Sequence, residues 1–295
     1  MHYLTTIRDY IRWSTSQLRN AQCYYGHGTD NALDDALMLV LHALSLDHSL
    51  PELYYDCHIT EPEKMAIVKL IDQRIRTRKP SAYLTGTAYF CGLPFIVNEA
   101  VLVPRSPFAE LIENGFSPWL DQLDVNRILD LCTGSGCIAI ACAYAFDNIP
   151  IDAIELSSEA LEVAQQNCKK HQVESQVQLI QSDLFSALTD QKYDLIVSNP
   201  PYVSESEMRD LAPEFHQEPR LGLTSKENGL AIVKQILKEA VDYLTPQGLL
   251  IVEVGNSAEA LVEAYPKVPF LWLDFERGGQ GVFLLTAQQL IDLNA

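Results

Sequence analysis

Asn199-Pro200-Pro201-Tyr202 follows directly on Tyr193-Asp194-Leu195-Ile196-Val197-Ser198, a short apolar run that reads as a buried parallel strand. An Asn at a strand end offers a side-chain carbonyl, and the prolines after it hold the chain extended, so its carbonyls aim outward instead of folding into a helix. Two such acceptors beside an aromatic ring suit a planar group carrying an NH2, which donates both hydrogens while the ring covers its flat face. Side-chain amides and nucleobase amino groups have that chemistry. Asn199, Pro200 and Tyr202 are the candidate catalytic residues, and Pro201 completes a substrate-binding tetrad. A Pro-Pro turn that merely ends a strand is the plainer reading, and the rest of the chain decides between them.

A second constellation runs from Ile128-Leu129-Asp130-Leu131-Cys132 through Thr133-Gly134-Ser135-Gly136 to Cys137-Ile138-Ala139: an apolar strand, a glycine turn and a helix start. Glycine lets a ligand approach such a backbone closely. Gly134, Gly136 and Ala139 fit a dinucleotide fingerprint, and Glu155 lies 21 residues beyond Gly134 at the next strand end, where a ribose-binding acid belongs. NAD and S-adenosylmethionine both use these features. Three observations favour the methyl donor: the glycine strand follows a complete helical segment, Asp183 in Gln181-Ser182-Asp183-Leu184-Phe185 places an acid after the third strand where an adenine amino group could be bound, and Asn199 follows the fourth strand. Each acid has a plainer role as a helix cap or a solvated side chain.

The elements that must position these residues follow an alternating pattern. Strands at 127–132, 151–155, 176–180, 193–198 and 248–254 are separated by helices at 137–146, 158–170 and 228–243, which implies a parallel α/β sheet. Phe270 to Phe275 and Val282 to Thr286 flank Arg277-Gly278-Gly279-Gln280-Gly281, a hairpin signal that adds an antiparallel strand at the end. Before this, apolar residues recur at helical spacing over Tyr3 to Leu18, Leu33 to Leu46 and Pro62 to Arg78. The expected organisation is a helical substrate-recognition domain at 1–80, a β-hairpin linker at 81–104 and a catalytic domain at 105–295. Arg74, Arg76, Arg78 and Lys79 close the third helix, where cations complement its dipole.

The chain carries 21 basic and 39 acidic residues, a net charge of −18. Residues 1 to 80 hold 9 bases and 10 acids, leaving 12 and 29 for the remainder. Such a surface repels phosphate backbones, which argues against nonspecific nucleic-acid binding, and attracts a basic protein partner. Met1 to Arg8 show no basic stretch followed by an apolar core, and no apolar run approaches the roughly 18 residues that span a bilayer, so no membrane association and a soluble, cytoplasmic protein are expected. Seven cysteines without a Cys-x-x-Cys pair suit a reducing compartment. Cys132, Cys137 and Cys142 lack zinc-site spacing and read as core, so no metal is expected.

With these residues in place, the chain resembles class I methyltransferases and, more narrowly, the protein glutamine N(5)-methyltransferases. The match spans the whole chain. The resemblance implies a Rossmann-like, mainly parallel sheet with an antiparallel last strand, preceded by a small helical domain. It further implies S-adenosylmethionine as cofactor and S-adenosylhomocysteine as product, with cofactor binding at Asp130, Thr133, Gly134, Ser135, Gly136, Glu155, Asp183, Leu184 and Asn199. The family's ribose acid is commonly Asp, and Glu155 departs from that by one methylene. Two branches differ in detail. Pro104-Arg105-Ser106-Pro107-Phe108-Ala109-Glu110, Cys132, Glu218-Pro219-Arg220-Leu221-Gly222-Leu223 and Glu253-Val254-Gly255-Asn256-Ser257 resemble the ribosomal branch, which implies a glutamine of large-subunit ribosomal protein three as target, free or in an assembling subunit. The release-factor branch instead carries Pro-Arg-Pro, an acidic residue and Thr-Glu after the hairpin.

The rivals make separate demands. Adenine N(6) methylation of DNA or RNA uses the same tetrad but needs a phosphate-binding surface. A noncatalytic assembly factor has no use for the two acceptors, and an NAD dehydrogenase needs a hydride-transfer partner that the sequence does not offer.

Overall fold

The computed structural model describes residues 3–294. Met1, His2 and Ala295, and with them the first two residues of the N-terminal stretch, lie outside the described residues. Helices α1 (Ile7–Asn20), α2 (Ala32–Ala43) and α3 (Glu61–Thr77) occupy the expected segments. α1 begins later than its apolar spacing suggests because Thr6 and Asp9 form a capping box: Asp9 N–H donates to Thr6 Oγ1 at 3.2 Å, and Thr6 N–H to Asp9 Oδ2 at 3.1 Å. Ile7, Tyr10, Ile11, Leu39, Val40, Leu41, Ile67 and Ile71 form the buried seam of this bundle.

A short helix α4 (Ser81–Thr85) leads into the hairpin of β1 (Thr87–Phe90) and β2 (Leu93–Ile96). Its two-residue turn puts Cys91 and Gly92 at φ +49° and +70°, the primed geometry that matches strand twist. After α5 (Phe108–Glu113) come β3 (Ile128–Leu131), α6 (Cys137–Ala145), β4 (Ile151–Glu155), α7 (Ser158–His171), β5 (Val177–Gln181) and β6 (Tyr193–Ser198). The tetrad loop holds α8 (Glu205–Asp210) and α9 (Arg220–Leu223). Then follow α10 (Ala231–Glu239), β7 (Leu244–Glu253), α11 (Ala258–Ala264), β8 (Leu271–Trp272), β9 (Val282–Thr286) and α12 (Ala287–Asn294).

Seven strands pair in the order β5-β4-β3-β6-β7-β9-β8, parallel as far as β7 and antiparallel for the last two pairings. Alternation along each strand divides the core. Ile128, Val197 and Ile251 pack with Ile138, Ile140 and Cys142 on one face, while Leu129, Ile196 and Leu250 pack with Ile236 and Leu290 on the other. The chain builds outward from β3 through β4 to β5, then returns to lay β6 on the opposite side of β3. This reversal opens a crevice at the strands' carboxyl ends, where α/β sheets bind ligands.

Several expected boundaries move. The helix expected at 228–243 starts at Ala231, because Glu227, Asn228 and Gly229 form a left-handed turn with φ of +54°, +58° and +87°. β7 begins at Leu244, which pairs with Tyr193, and the strand expected at 270–275 shrinks to Leu271–Trp272.

Arg74 and Arg76 stand in the last turn of α3 as expected, but Arg74 also has a tertiary role, for it is 1% exposed. Its Nε donates to Asp35 Oδ2 at 3.1 Å, Nη1 to Glu214 Oε1 at 3.2 Å and Nη2 to the Tyr24 carbonyl at 2.8 Å. Burial alone would raise the Glu214 carboxyl, but the Tyr24 N–H and the Arg74 guanidinium outweigh it and hold it below the usual range. Arg74 thus joins α3 to the loop after the tetrad. Arg74→Met leaves buried Asp35 without its cation and Glu214 with Arg78 at 3.5 Å, so we expect a loss of about 3–5 kcal/mol in urea unfolding. A loss below about 1 kcal/mol would show that this bridge is not needed.

Candidate functional site

The glycine turn leaves β3 with Cys132, Gly134 and Gly136 all left-handed, at φ +62°, +56° and +80°. Cys132 carries a side chain in a conformation that favours glycine. The two glycines serve different ends. A Cβ on Gly136 would press on Ala164 Cβ and Ile140 Cδ1 at 3.4 Å, so this residue permits close packing of α6 on α7. A Cβ on Gly134 would meet nothing within 4 Å, so its backbone faces open space that a ligand can fill.

Asp130 shapes this turn from beneath. Its buried Oδ2 accepts from Thr133 Oγ1 at 2.5 Å and from Ala139 N–H at 3.1 Å, fastening the turn to the first residues of α6. Burial pushes its carboxyl up to about 7 despite those two donors. Asn167, fully buried on α7, donates to the Ser135 carbonyl at 2.9 Å and pairs with both backbone groups of Ile96, so the hairpin and the turn share one anchor.

Glu155 stands at the end of β4. Its Oε2 accepts from Gly134 N–H and its Oε1 from Ser157 N–H, both at 2.9 Å, leaving each oxygen a lone pair for a further donor. Asp183 follows β5 with an exposed carboxylate, beside buried Leu184 in a left-handed kink at φ +46°. Thr133 and Ser135 are buried in the turn itself. Two carboxylates and an open glycine backbone along three adjacent strand ends fit an adenosine-bearing ligand: acceptors for a ribose diol and an amino group, and room beside the turn.

Asn199 lies next to this turn because β6 pairs directly with β3, Leu131 opposite Ser198. It is half-buried, and its carboxamide and the Pro200 carbonyl have no hydrogen-bond partner among the described residues. Tyr202 is held tightly. Its hydroxyl donates to Glu253 Oε1 at 3.0 Å, and its carbonyl accepts from Ser257 Oγ at 2.8 Å. Its ring packs on the Gly255 backbone, where a Cβ would fall 2.5 Å from Cε2. Burial is the main reason its phenol is pushed far above the ordinary value, with the Glu253 carboxyl adding to it.

The segments quoted as branch features converge here. Arg105 forms a two-pronged pair with Glu218, at 2.7 and 2.6 Å, and Glu218 also accepts from Val103 N–H at 3.1 Å. His27 Nε2 lies 3.4 Å from the same carboxylate. Burial would raise Glu218, but His27 and Arg105 overcome it and hold the carboxyl at about 2. Arg105 and Glu218 lie 113 positions apart and Tyr202 and Glu253 51, so these pairings are not legible in local sequence patterns. Glu253 did leave a signal, as an acid closing the apolar run Leu249 to Val252.

Residues 115–226 match the family model described as Methyltransferase small domain. The ribosomal protein uL3 glutamine methyltransferase of Francisella tularensis subsp. tularensis is 47% identical over 98% of this chain and 92% of its own. That of Xanthomonas campestris pv. campestris is 45% identical over 98% of this chain and 93% of its own. Among solved structures, the hMettl16 catalytic domain in complex with the MAT2A 3'UTR hairpin 6 aligns with a TM-score of 0.50 at 16% identity, covering 77% of this chain and 81% of that one, a likeness of fold alone. With near-complete coverage at such identity, the chain belongs to the ribosomal protein uL3 glutamine methyltransferase family.

Proposed function

We propose that this enzyme methylates N(5) of a glutamine side chain in large-subunit ribosomal protein three, using S-adenosylmethionine and releasing S-adenosylhomocysteine. The observation that carries this reading is the unpartnered Asn199 carboxamide, set one strand away from an open glycine turn. When bound, S-adenosylmethionine supplies an electrophilic methyl group. The open backbone at Gly134 leaves room for it while Gly136 lets α6 pack behind the turn, Glu155 accepts its ribose hydroxyls and Asp183 its adenine amino group. Thr133, Ser135 and Leu184 line the turn and the third strand end, and Asp130 holds the turn's shape.

A glutamine amide nitrogen is a poor nucleophile because its lone pair is shared with the carbonyl, the resonance behind the roughly 18–20 kcal/mol barrier to amide rotation. Asn199 Oδ1 and the Pro200 carbonyl accept its two hydrogens, which raises electron density at nitrogen and fixes its position. Pro201 keeps these acceptors aimed outward, and the Tyr202 ring covers the amide plane. Such orientation contributes several of the roughly 7–11 kcal/mol available from placing reactants. After transfer the amide is a strong acid whose proton passes to water or Asn199, so no histidine base is required.

The net charge of −18 draws in a basic substrate, and the helical segment through residue 80 is the proposed receiving surface, joined to the catalytic part through 81–104. The proposed compartment is the cytoplasm, where ribosomal proteins are made. No helix among the described residues is long and apolar enough to cross a membrane.

Labelled S-adenosylmethionine offered with free ribosomal protein three, a release factor and DNA should place label on a glutamine of the ribosomal protein, mapped by mass spectrometry. Label on DNA, or on the release factor alone, would overturn the reading. Asn199→Ala should lower kcat about 100-fold, as loss of one preorganised polar contact does; near-normal turnover would contradict its role. For Glu155→Ala, calorimetry should show weaker cofactor binding with a smaller change in kcat at saturation, and an unaltered Kd would remove Glu155 from the cofactor site.

A further inference from the structure

Glu253 closes β7 with a carboxyl that is 4% exposed and has no ion pair among the described residues. Arg105, the cation nearest in influence, spends its guanidinium on Glu218. What the Glu253 carboxyl does hold is two hydroxyls from opposite sides: Ser106 Oγ donates to Oε2 at 2.6 Å and Tyr202 to Oε1 at 3.0 Å. Burying an acid without a cation is costly, and a neutral side chain would spare the protein most of that cost.

The placement points to a reason. β6 and β7 are parallel with Ser198 opposite Val252, so the next residues along each strand are Asn199 and Glu253. The acid therefore sits level with the tetrad. Further contacts on Tyr202 come from the residues just after Glu253 and from Gly229. Ser257 takes its carbonyl, Gly255 lies against its ring, and a Cβ on Gly229 would fall 2.1 Å from its carbonyl oxygen. A Cβ on Gly281 would lie 2.3 Å from the Gly255 carbonyl, so the slot around the ring cannot widen there. These contacts confine the ring by packing, and the bond to Glu253 adds a direction for its hydroxyl.

Resting on the function proposed above, we propose that Glu253 is a positioning residue for methyl transfer: with Ser106 as its second anchor, it holds the Tyr202 hydroxyl so that the ring stands over the substrate amide. It touches neither substrate nor cofactor and acts through Tyr202. The segment carrying Ser106 and the β7 end carrying Glu253 are both branch features, so this link joins them at the tetrad. Burial pushes the Glu253 carboxyl up to about 7 against the pull of Ser106, Tyr202 and Arg105, a sign that these groups only partly compensate it.

A double-mutant cycle tests the proposal. Glu253→Gln keeps size and one acceptor but cannot accept from both hydroxyls, and should lower kcat roughly tenfold with KM and cofactor Kd within about twofold of wild type. In a Tyr202→Phe background, where the hydroxyl is gone, the same change should cost nothing further. Additive losses, or a raised KM with normal kcat, would overturn the positioning role while leaving the methyltransferase reading intact. Should Glu253→Gln fail to fold, Ser106→Ala takes its place, with a smaller loss of kcat that again vanishes beside Tyr202→Phe. A readout independent of turnover separates the two claims. In protein labelled on tyrosine rings, the resonance assigned to Tyr202 by its loss in Tyr202→Phe should shift in Glu253→Gln. An unmoved resonance overturns the proposal even if the wild-type enzyme methylates no glutamine.

Discussion

The parallel pairing of β6 between β3 and β7 is the constraint on which the site depends. It sets Ser198 opposite Leu131 on one side and opposite Val252 on the other. The glycine turn, Asn199 and Glu253 then emerge side by side from three neighbouring strand ends. A one-residue slip would turn every β6 side chain to the opposite face and mismatch its packing with both cores. Hydrophobic burial therefore fixes the placement of polar groups that it never touches.

A second layer of order is electrostatic. Glu214 and Glu218, both on the loop that follows the tetrad, are buried and partnered in opposite directions. Glu214 meets Arg74 and the Tyr24 N–H of the helical segment, whereas Glu218 meets Arg105 and Val103 N–H just beyond the hairpin, with His27 close by. Phe215 between them packs against His27, with ring centroids 4.4 Å apart, and lies beneath the Arg105 guanidinium at 5.6 Å. The loop is pinned at both carboxylates, and ordering a loop by buried charge pairs specifies its conformation even where such pairs add little net stability. The helical segment, the hairpin and the tetrad consequently share one polar interior.

Much of this was legible in the sequence because it was local. The glycine turn, the tetrad and the alternation of strands and helices are contiguous patterns, and the parallel sheet with an antiparallel end, the family and its ribosomal branch follow from them. The places where the reading slipped were tertiary. Arg74 looks like a capping cation when only α3 is considered, and its carboxylate partners lie 39 and 140 positions away. Helix α10 starts late because Glu227 to Gly229 turn left-handed, a choice that Asn228-Gly229 signals and Glu227 does not. The short helices within the tetrad loop owe their form to what packs around them, as Gly222 against Leu102 illustrates, where a Cβ would approach Leu102 Cγ to 3.2 Å. Asp130 was visible as part of the motif, but its work under the turn emerges only from its bonds to Thr133 and Ala139.

The central claim is that Asn199 and Pro200 receive the two hydrogens of a glutamine amide. A crystal structure of the enzyme with S-adenosylhomocysteine and a glutamine-bearing peptide of ribosomal protein three tests it most directly. The account predicts the amide nitrogen within about 2.7–3.2 Å of both Asn199 Oδ1 and the Pro200 carbonyl, with the Tyr202 ring across its plane. A glutamine bound elsewhere, or an Asn199 side chain turned away from it, would contradict the account.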